Sequence, residues 1–200
     1  MALGISMAAA DEVRSHEFKA DQISNLNLEV RSGHVVIEHH DDDNIYVEVR
    51  FSADDEGWFR RTADLSKTDI AQSFRNQTLT LGFDQKGVNT EWVIYIPVID
   101  QVEVNLGVGA VELDIINSDI SVNIGVGAVE MSLPLSHYGE IGMTAGIGET
   151  TLTGARSVQS NRALLASNLN GEGEGDRQVS VNLGVGSGEI NLTRVNMAGR

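Results

Sequence analysis

The chain has 200 residues, 41% of them hydrophobic, so it is long enough to bury the core of one domain. Its formal net charge is −15, and no run of Lys or Arg could neutralise phosphates, which argues against nucleic acid as a partner. No stretch approaches the roughly 20 apolar residues of a membrane span, and the absence of cysteine excludes disulfides, thiolate zinc sites and thiol catalysis.

Residues 1–17 are predicted to form an N-terminal tail. The run ALGISMAAA, which precedes Asp11, is typical of the end of a signal peptide, and Ala8-Ala9-Ala10 supplies an A-x-A cleavage pattern. A basic n-region is missing, so a small-residue disordered tail is the alternative. We favour export, to the periplasm or the cell envelope. One domain is predicted over residues 18–194, with a C-terminal tail over 195–200.

Three strands are predicted between Ile23 and Phe51. Apolar residues alternate with polar ones in each of them, which is typical of strands that bury one face. Ser32-Gly33 is expected to end the first strand before the second begins. The polar run from His39 to Asn44 is expected to connect the second strand to the third. All three are expected to share one buried face.

The least regular segment runs from Ser52 to Gln77, and we interpret it as an insertion or long loop with a short helix near Asp69 to Arg75. Trp58 and Phe59, beside two arginines, are candidates for a contact patch. The alternative, which we favour, is that they cap an open end of the fold, where core and strand groups would otherwise be exposed.

Alternation resumes from Thr78 to Leu81 and from Trp92 to Val98. Pro97 is better tolerated at a strand end or edge than inside a hydrogen-bonded ladder. Trp92 itself is predicted to lie outside the clear core alternation.

A twelve-residue phrase then recurs, as VNLGVGAVELDI from Val104, VNIGVGAVEMSL from Val122 and VNLGVGSGEINL from Val181, with a weaker copy from Met143. The steps between copies are 18, 21 and 38 residues, and we interpret the last as two coils, one of them degraded, over residues 155–177. Strand-like repeats of this length predict an all-β solenoid of 18–21-residue coils, with more irregular N-terminal strands.

The apolar residues change phase within each coil. Val104, Leu106 and Val108 are expected to point one way, whereas Val111 and Leu113 have the opposite parity. A kink or bulge at Gly109-Ala110 would shift the phase by one residue, because a residue without Cβ suits such a corner.

Two columns of outward side chains follow from the repeat. Equivalent residues on stacked coils lie about 4.8 Å apart, and the aligned glutamates would repel one another unless solvent, a cation or a basic partner screens them. We favour a solvated acidic face, and cation or basic-partner binding is the alternative, with Glu112 and Glu130 as candidate metal ligands. The columns are Glu112, Glu130 and Glu189, with Thr151 in the weaker copy, and Asn105, Asn123 and Asn182.

The run His39-His40-Asp41-Asp42-Asp43 has the composition of a metal site. Neighbouring side chains on an extended strand face opposite ways, however, so a charged turn is the favoured interpretation. Asp41 and Asp43 remain candidate metal ligands.

The layout of Leu26 to Phe51, the run IYIPV from Ile94 to Val98, and the GVGAVE coils resemble the bacterial putative-adhesin family, also called toastrack domains. The resemblance covers roughly Phe18 to Thr193. It implies a right-handed, single-stranded, β-helix-like solenoid that is usually exported or membrane-tethered, with a protein-binding or assembly role outside the cytoplasm. The family has no catalytic signature to carry over.

The glycine-rich phrases do not indicate a cofactor site, because a strand follows them where a phosphate-binding loop needs a helix. We therefore predict a non-enzymatic, exported β-solenoid that presents a repetitive surface for a protein partner or for self-association. Two alternatives stay open: a carbohydrate-active β-helix enzyme, which would need a groove with aromatic platforms, and a structural protein that binds calcium on its acidic face. The candidate interaction residues are Trp58, Phe59, Asn105, Glu112, Asn123, Glu130, Asn182 and Glu189.

Overall fold

The fold is all-β, as predicted. A computed structural model describes residues 11–53 and 65–194, which form twelve strands and one short 3₁₀ turn, Ala20–Gln22. Trp58, Phe59 and the predicted signal-peptide remnant lie outside the described residues. The strands are β1 (Glu12–Lys19), β2 (Asn25–His39), β3 (Asn44–Ala53), β4 (Ala71–Arg75), β5 (Thr78–Phe83), β6 (Val88–Ile96), β7 (Gln101–Asp114), β8 (Asp119–Pro134), β9 (Tyr138–Thr153), β10 (Ser157–Ala163), β11 (Ala166–Glu172) and β12 (Arg177–Thr193).

The strands hydrogen-bond in the order β1-β3-β6-β2-β7-β8-β12-β9-β11-β10, with β5 and β4 joined to β2. Five long parallel strands, β2, β7, β8, β12 and β9, form the solenoid-like centre. At the N-terminal end the two halves of β2 take different partners, because β5 pairs with residues 25–30 and β6 with residues 33–39. Each long strand therefore belongs to two walls around one apolar core.

A glycine kink divides each long strand, as the change of phase predicted. In β8 the kink is at Gly127, where φ is +154° and a Cβ would stand 1.7 Å from the carbonyl oxygen of Gly109 on the neighbouring strand. Only glycine allows this approach of two backbones. Buried residues alternate on either side of the kink with opposite parity, so both halves face the core.

A kink of the same kind in β2 explains why the predicted break between the first two strands is wrong. Ser32-Gly33 does not end a strand: Gly33 pairs with Gly109 and has a φ of +157°, so β2 is one bent strand in the same register as the repeats. The predicted shared face is confirmed, since the alternating apolar residues of β2 and β3 are buried.

The last repeat does not follow the others in chain order. β12 lies between β8 and β9 and pairs in parallel with both. Residues 155–177 are not a degraded coil, because β10 and β11 form an antiparallel hairpin whose second strand pairs with the first half of β9. The 38-residue step thus carries the chain out to one edge and back into the sheet.

Two further boundaries differ from the prediction. β1 pairs antiparallel with β3 from Glu12 onward, so the fold starts before residue 18. The predicted helix near Asp69 to Arg75 is instead the edge strand β4, whose five residues are all exposed and which forms a hairpin with β5. Asn76 and Gln77 both have positive φ, 51° and 63°, as a two-residue hairpin turn requires.

Trp92 belongs to the core, which corrects its predicted position. Its side chain is fully buried, and its indole Nε1 donates to Thr90 Oγ1 at 2.8 Å, while that hydroxyl donates to the Ser32 carbonyl at 3.0 Å. A short buried hydrogen-bond chain therefore ties β6 to the kink of β2. Pro97 follows the last residue of β6, as predicted for a strand end.

Candidate functional site

The outward faces of the repeats form in-register columns, and the first is a ladder of amides. Asn123 donates to Asn105 at 3.0 Å, Asn182 donates to Asn123 at 3.1 Å, and Thr144 donates to Asn182 at 2.9 Å. Asn27, on β2, accepts from Asn105 at the other end, at 3.4 Å. Each amide can donate to one neighbour and accept from the next. Asn27 and Asn105 also donate to the carboxylates of Glu29 and Glu103, at 3.1 and 3.0 Å.

Asn105, Asn123 and Asn182 were predicted from the repeat, but the two ends of the ladder were not. Thr144 stands in the weaker copy, where only its register with Asn182 shows that it continues the ladder. Asn27 pairs with Glu103 and reaches Asn105 diagonally. Ser32-Gly33 aligns with the glycine kinks of the later strands, and this alignment could have predicted that β2 extends the ladder.

The second column is acidic. Glu112, Glu130 and Glu189 are in register on the neighbouring strands β7, β8 and β12, and Thr151 follows on β9, as predicted. At the β7 end, His34 Nε2 lies 2.9 Å from a Glu112 carboxylate oxygen. Within the described part of the chain, Glu130 and Glu189 form no ion pair.

A third column was missed by the sequence analysis: an apolar ridge along the kinks, made of Val108, Val126, Val185 and Ile147. Val108 was expected to point the same way as Val104 and Leu106, which are buried, but the four side chains of the ridge are 53%, 48%, 41% and 49% exposed. They are in register on β7, β8, β12 and β9. The kink turns them outward, because the phase changes at the residue before each positive-φ glycine.

Grooves flank the ridge on both sides. On the amide side, a groove of about 520 Å³ has a floor of bare backbone, because Gly107, Gly125 and Gly184 present no side chain there. On the acidic side, a groove of about 320 Å³ is lined by Glu112, Glu130, Glu189 and Glu149, together with small residues. Glu149 is paired with Arg162 of the hairpin strand β10. The ridge therefore lies between a groove lined by amides and glycines and a groove lined by glutamates.

A separate polar groove of about 560 Å³ lies where β8, β12 and β9 meet the β10–β11 hairpin. Its lining includes Asp119, Glu140, Glu172 and several amides, and no aromatic residue. Asp119 accepts from the backbone N–H of Gln178 at 2.9 Å and lies 3.7 Å from Arg177. The aromatic platform that a carbohydrate-active alternative needs is not found among the residues that line this groove.

The run from His39 to Asp43 forms local pairs across a turn. His39 Nε2 lies 3.4 Å from Asp41, and His40 Nδ1 lies 3.5 Å from Asp42. Among the residues that the structure describes, no three His, Asp or Glu side chains are grouped to hold one metal ion. Asp41, Asp43, Glu112 and Glu130 stay untested as metal ligands.

Comparison with known proteins defines the class of fold. The structure is similar to that of a putative cell adhesion protein from Clostridium sporogenes ATCC 15579, with a TM-score of 0.54 and 14% identity over 92% of this chain and 100% of that one. A putative adhesin from Bacteroides fragilis NCTC 9343 gives a TM-score of 0.40 and 11% identity over 94% and 100%. No protein-family model and no curated protein matches the sequence.

The predicted resemblance to the bacterial putative adhesins is confirmed at the level of the fold, on the Clostridium sporogenes structure. At 14% identity the likeness carries no residue roles. The described residues contain no helix that is long and apolar enough to cross a membrane.

Proposed function

We propose that the chain is an exported, non-enzymatic β-solenoid whose repeated outward columns bind another protein, as an adhesin or an envelope scaffold does. One observation carries the proposal: side chains of one kind recur in register on neighbouring strands. The apolar ridge extends over β7, β8, β12 and β9, and in the amide ladder and the acidic column a threonine takes the place on β9. The name of the similar Clostridium sporogenes protein points the same way, toward association at a surface.

The physical argument is that a repetitive surface multiplies weak contacts. Each column offers one chemical type at a spacing of about 4.8 Å, so a partner with a matching repeat gains several equivalent contacts once it is oriented. The ridge also exposes four β-branched side chains beside bare backbone. Exposed apolar side chains that lie together, rimmed by polar residues, mark protein-binding surfaces more often than scattered ones do.

The test is photo-crosslinking in the producing bacterium. A photoreactive amino acid is placed at Asn123 on the amide ladder, at Val126 on the ridge, and at Val98 in the loop after β6 as the control, which is also exposed. We expect the chain in the envelope fraction, with a crosslinked protein at one of the first two positions and not at Val98. A cytoplasmic location, or equal crosslinking at all three positions, would contradict the proposal.

Light scattering of the purified protein, with calcium and with chelator, addresses the remaining alternatives. A defined oligomer would identify a second copy as the partner, and a calcium-dependent change in mass would identify the acidic column as a cation site. A monomer in both conditions fits a heterologous partner.

A further inference from the structure

We propose that the apolar ridge and the acidic column together bind one kind of partner, a basic amphipathic helix that lies across the strands of the solenoid. This rests on the proposed function and names the partner's chemistry. The helix would place its apolar side chains against Val108, Val126, Val185 and Ile147, and its Lys or Arg side chains beside Glu112, Glu130 and Glu189.

The negative charge of the surface favours a partner with positive charge. In the described part of the chain Glu130 and Glu189 form no ion pair, and the ion-pair partner of Glu112 there is His34. The whole chain carries a net charge of −15. Two copies whose acidic columns faced each other would repel, whereas basic side chains would relieve the repulsion within the column.

The ridge supplies the apolar half of the same contact. Its four side chains are between 41% and 53% exposed, and the bare backbone of Gly107, Gly125 and Gly184 beside them leaves room for a partner's side chains to enter the groove. Burial of an apolar side chain contributes about 25 cal/mol per Å² of apolar area removed from water. The ridge therefore provides affinity, and the adjacent glutamates provide orientation.

The spacing of the columns favours a helix over an extended chain. Three intervals of about 4.8 Å separate β7 from β9 across the sheet, about 14 Å in all. Along one face of a helix, apolar positions recur about once per turn, every 5.4 Å or so, and ten residues cover about 15 Å. In an extended chain, side chains on one face recur only every 6.6 Å or so, which differs more from the spacing of about 4.8 Å between the strands.

The experiment measures binding of fluorescent 18-residue peptides of Leu and Lys by anisotropy. The probe has Leu at helical spacing, and the control peptide has the same composition in strict alternation, which suits a strand. A third peptide replaces Lys by Glu at helical spacing. We expect the Leu/Lys helix to bind at least about tenfold more tightly than either control, a difference of about 1.4 kcal/mol.

Matched protein variants locate the site. Val126→Thr/Val185→Thr changes the ridge, and Val98→Thr/Val158→Thr changes two valines of similar exposure elsewhere. Glu130→Gln/Glu189→Gln removes two charges from the column, and Glu172→Gln/Glu174→Gln removes two exposed charges from the end of β11 and the loop after it. We expect the ridge and column variants each to weaken binding by about tenfold, and the matched variants by less than about twofold. Circular dichroism checks that each variant is folded.

Three results would overturn the inference: no binding of the helical probe, equal binding of the alternating peptide, or equal losses in the matched variants, which would indicate attraction to net charge alone. The proposed function can survive this failure. Crosslinking in the bacterium at Asn123, but not at Val126, would support protein association through the amide ladder while excluding the ridge. A ridge-dependent dimer in light scattering would identify a second copy as the occupant instead, and so would also overturn the helix.

Discussion

Replacing Glu130 by Gln should stabilise the protein at neutral pH and low salt. Glu130 lies between Glu112 on β7 and Glu189 on β12, and all three are in register. Like charges directly opposite each other on neighbouring strands destabilise a sheet by about 0.2–1 kcal/mol per pair. Coulomb's law gives a similar value, about 0.7 kcal/mol for unit charges about 6 Å apart in water.

The substitution removes two such pairs and leaves an amide of nearly the same shape. We expect a gain of about 1 kcal/mol in the free energy of unfolding, which raises Tm by about 2–4 °C in a domain of this size. The assay is thermal unfolding followed by circular dichroism at about 10 mM and about 1 M salt. The Debye length falls from about 30 Å to about 3 Å over this range, so most of the gain should disappear at high salt.

Glu91→Gln is the matched control, because Glu91 lies 3.5 Å from the guanidinium of Arg50 on the neighbouring strand β3. Its removal should leave Tm unchanged or lower it slightly, since an exposed ion pair contributes about 0–1 kcal/mol. The repulsion argument fails if Glu130→Gln does not raise Tm at low salt. It also fails if the rise is equally large at about 1 M salt, because the gain would then not be electrostatic.

Three further substitutions test the kink, the buried hydrogen bonds and the core. Gly127→Ala should cost more than about 3 kcal/mol or prevent folding, because its Cβ would meet a backbone oxygen at 1.7 Å, whereas Gly142→Ala, with 3.8 Å to its first contact, should change urea stability by less than about 1 kcal/mol. Thr90→Val removes the acceptor of the buried Trp92 indole and should cost about 1–3 kcal/mol by urea unfolding, while Thr90→Ser, which keeps the hydroxyl, should cost less. Burial raises the pKa of Tyr138, so the folded protein keeps a proton that the unfolded chain releases above about pH 10, and stability should fall there as pH rises. Tyr138→Phe should flatten that fall between about pH 9 and pH 11.5, and identical slopes would refute the assignment to this residue.

The sequence predicted the columns because the repeat fixes register. Glu112, Glu130 and Glu189 occupy one place in three nearly identical phrases, and parallel strands with the same pattern of buried residues pair so that these places coincide. The change of parity around Gly109 likewise required a kink. Both predictions depended on local pattern alone, and the structure agrees with both.

The position of the ridge and the order of the strands could not be predicted from the repeat pattern. Alternation grouped Val108 with Leu106, because the parity of the apolar residues does not show at which residue of the kink the phase changes. In the structure the backbone at Gly109 turns Val108 outward. The 38-residue step between the last two copies of the phrase gives the length of the connection but not the strands that it forms. A hairpin and a degraded coil use similar numbers of residues, and only the pairing of β11 with β9 distinguishes them.

The insertion of β12 makes the C-terminal repeat the strand that joins the solenoid together. In a simple solenoid each coil contacts the coils before and after it in sequence, so the last coil lies at an end. Here the last phrase pairs along its length with β8 and with β9, and among the described strands β12 alone pairs with the half of β9 that follows its kink. The last repeat therefore adds Asn182 to the amide ladder and Glu189 to the acidic column. The amide ladder and the apolar ridge are continuous from β8 to β9 only through β12.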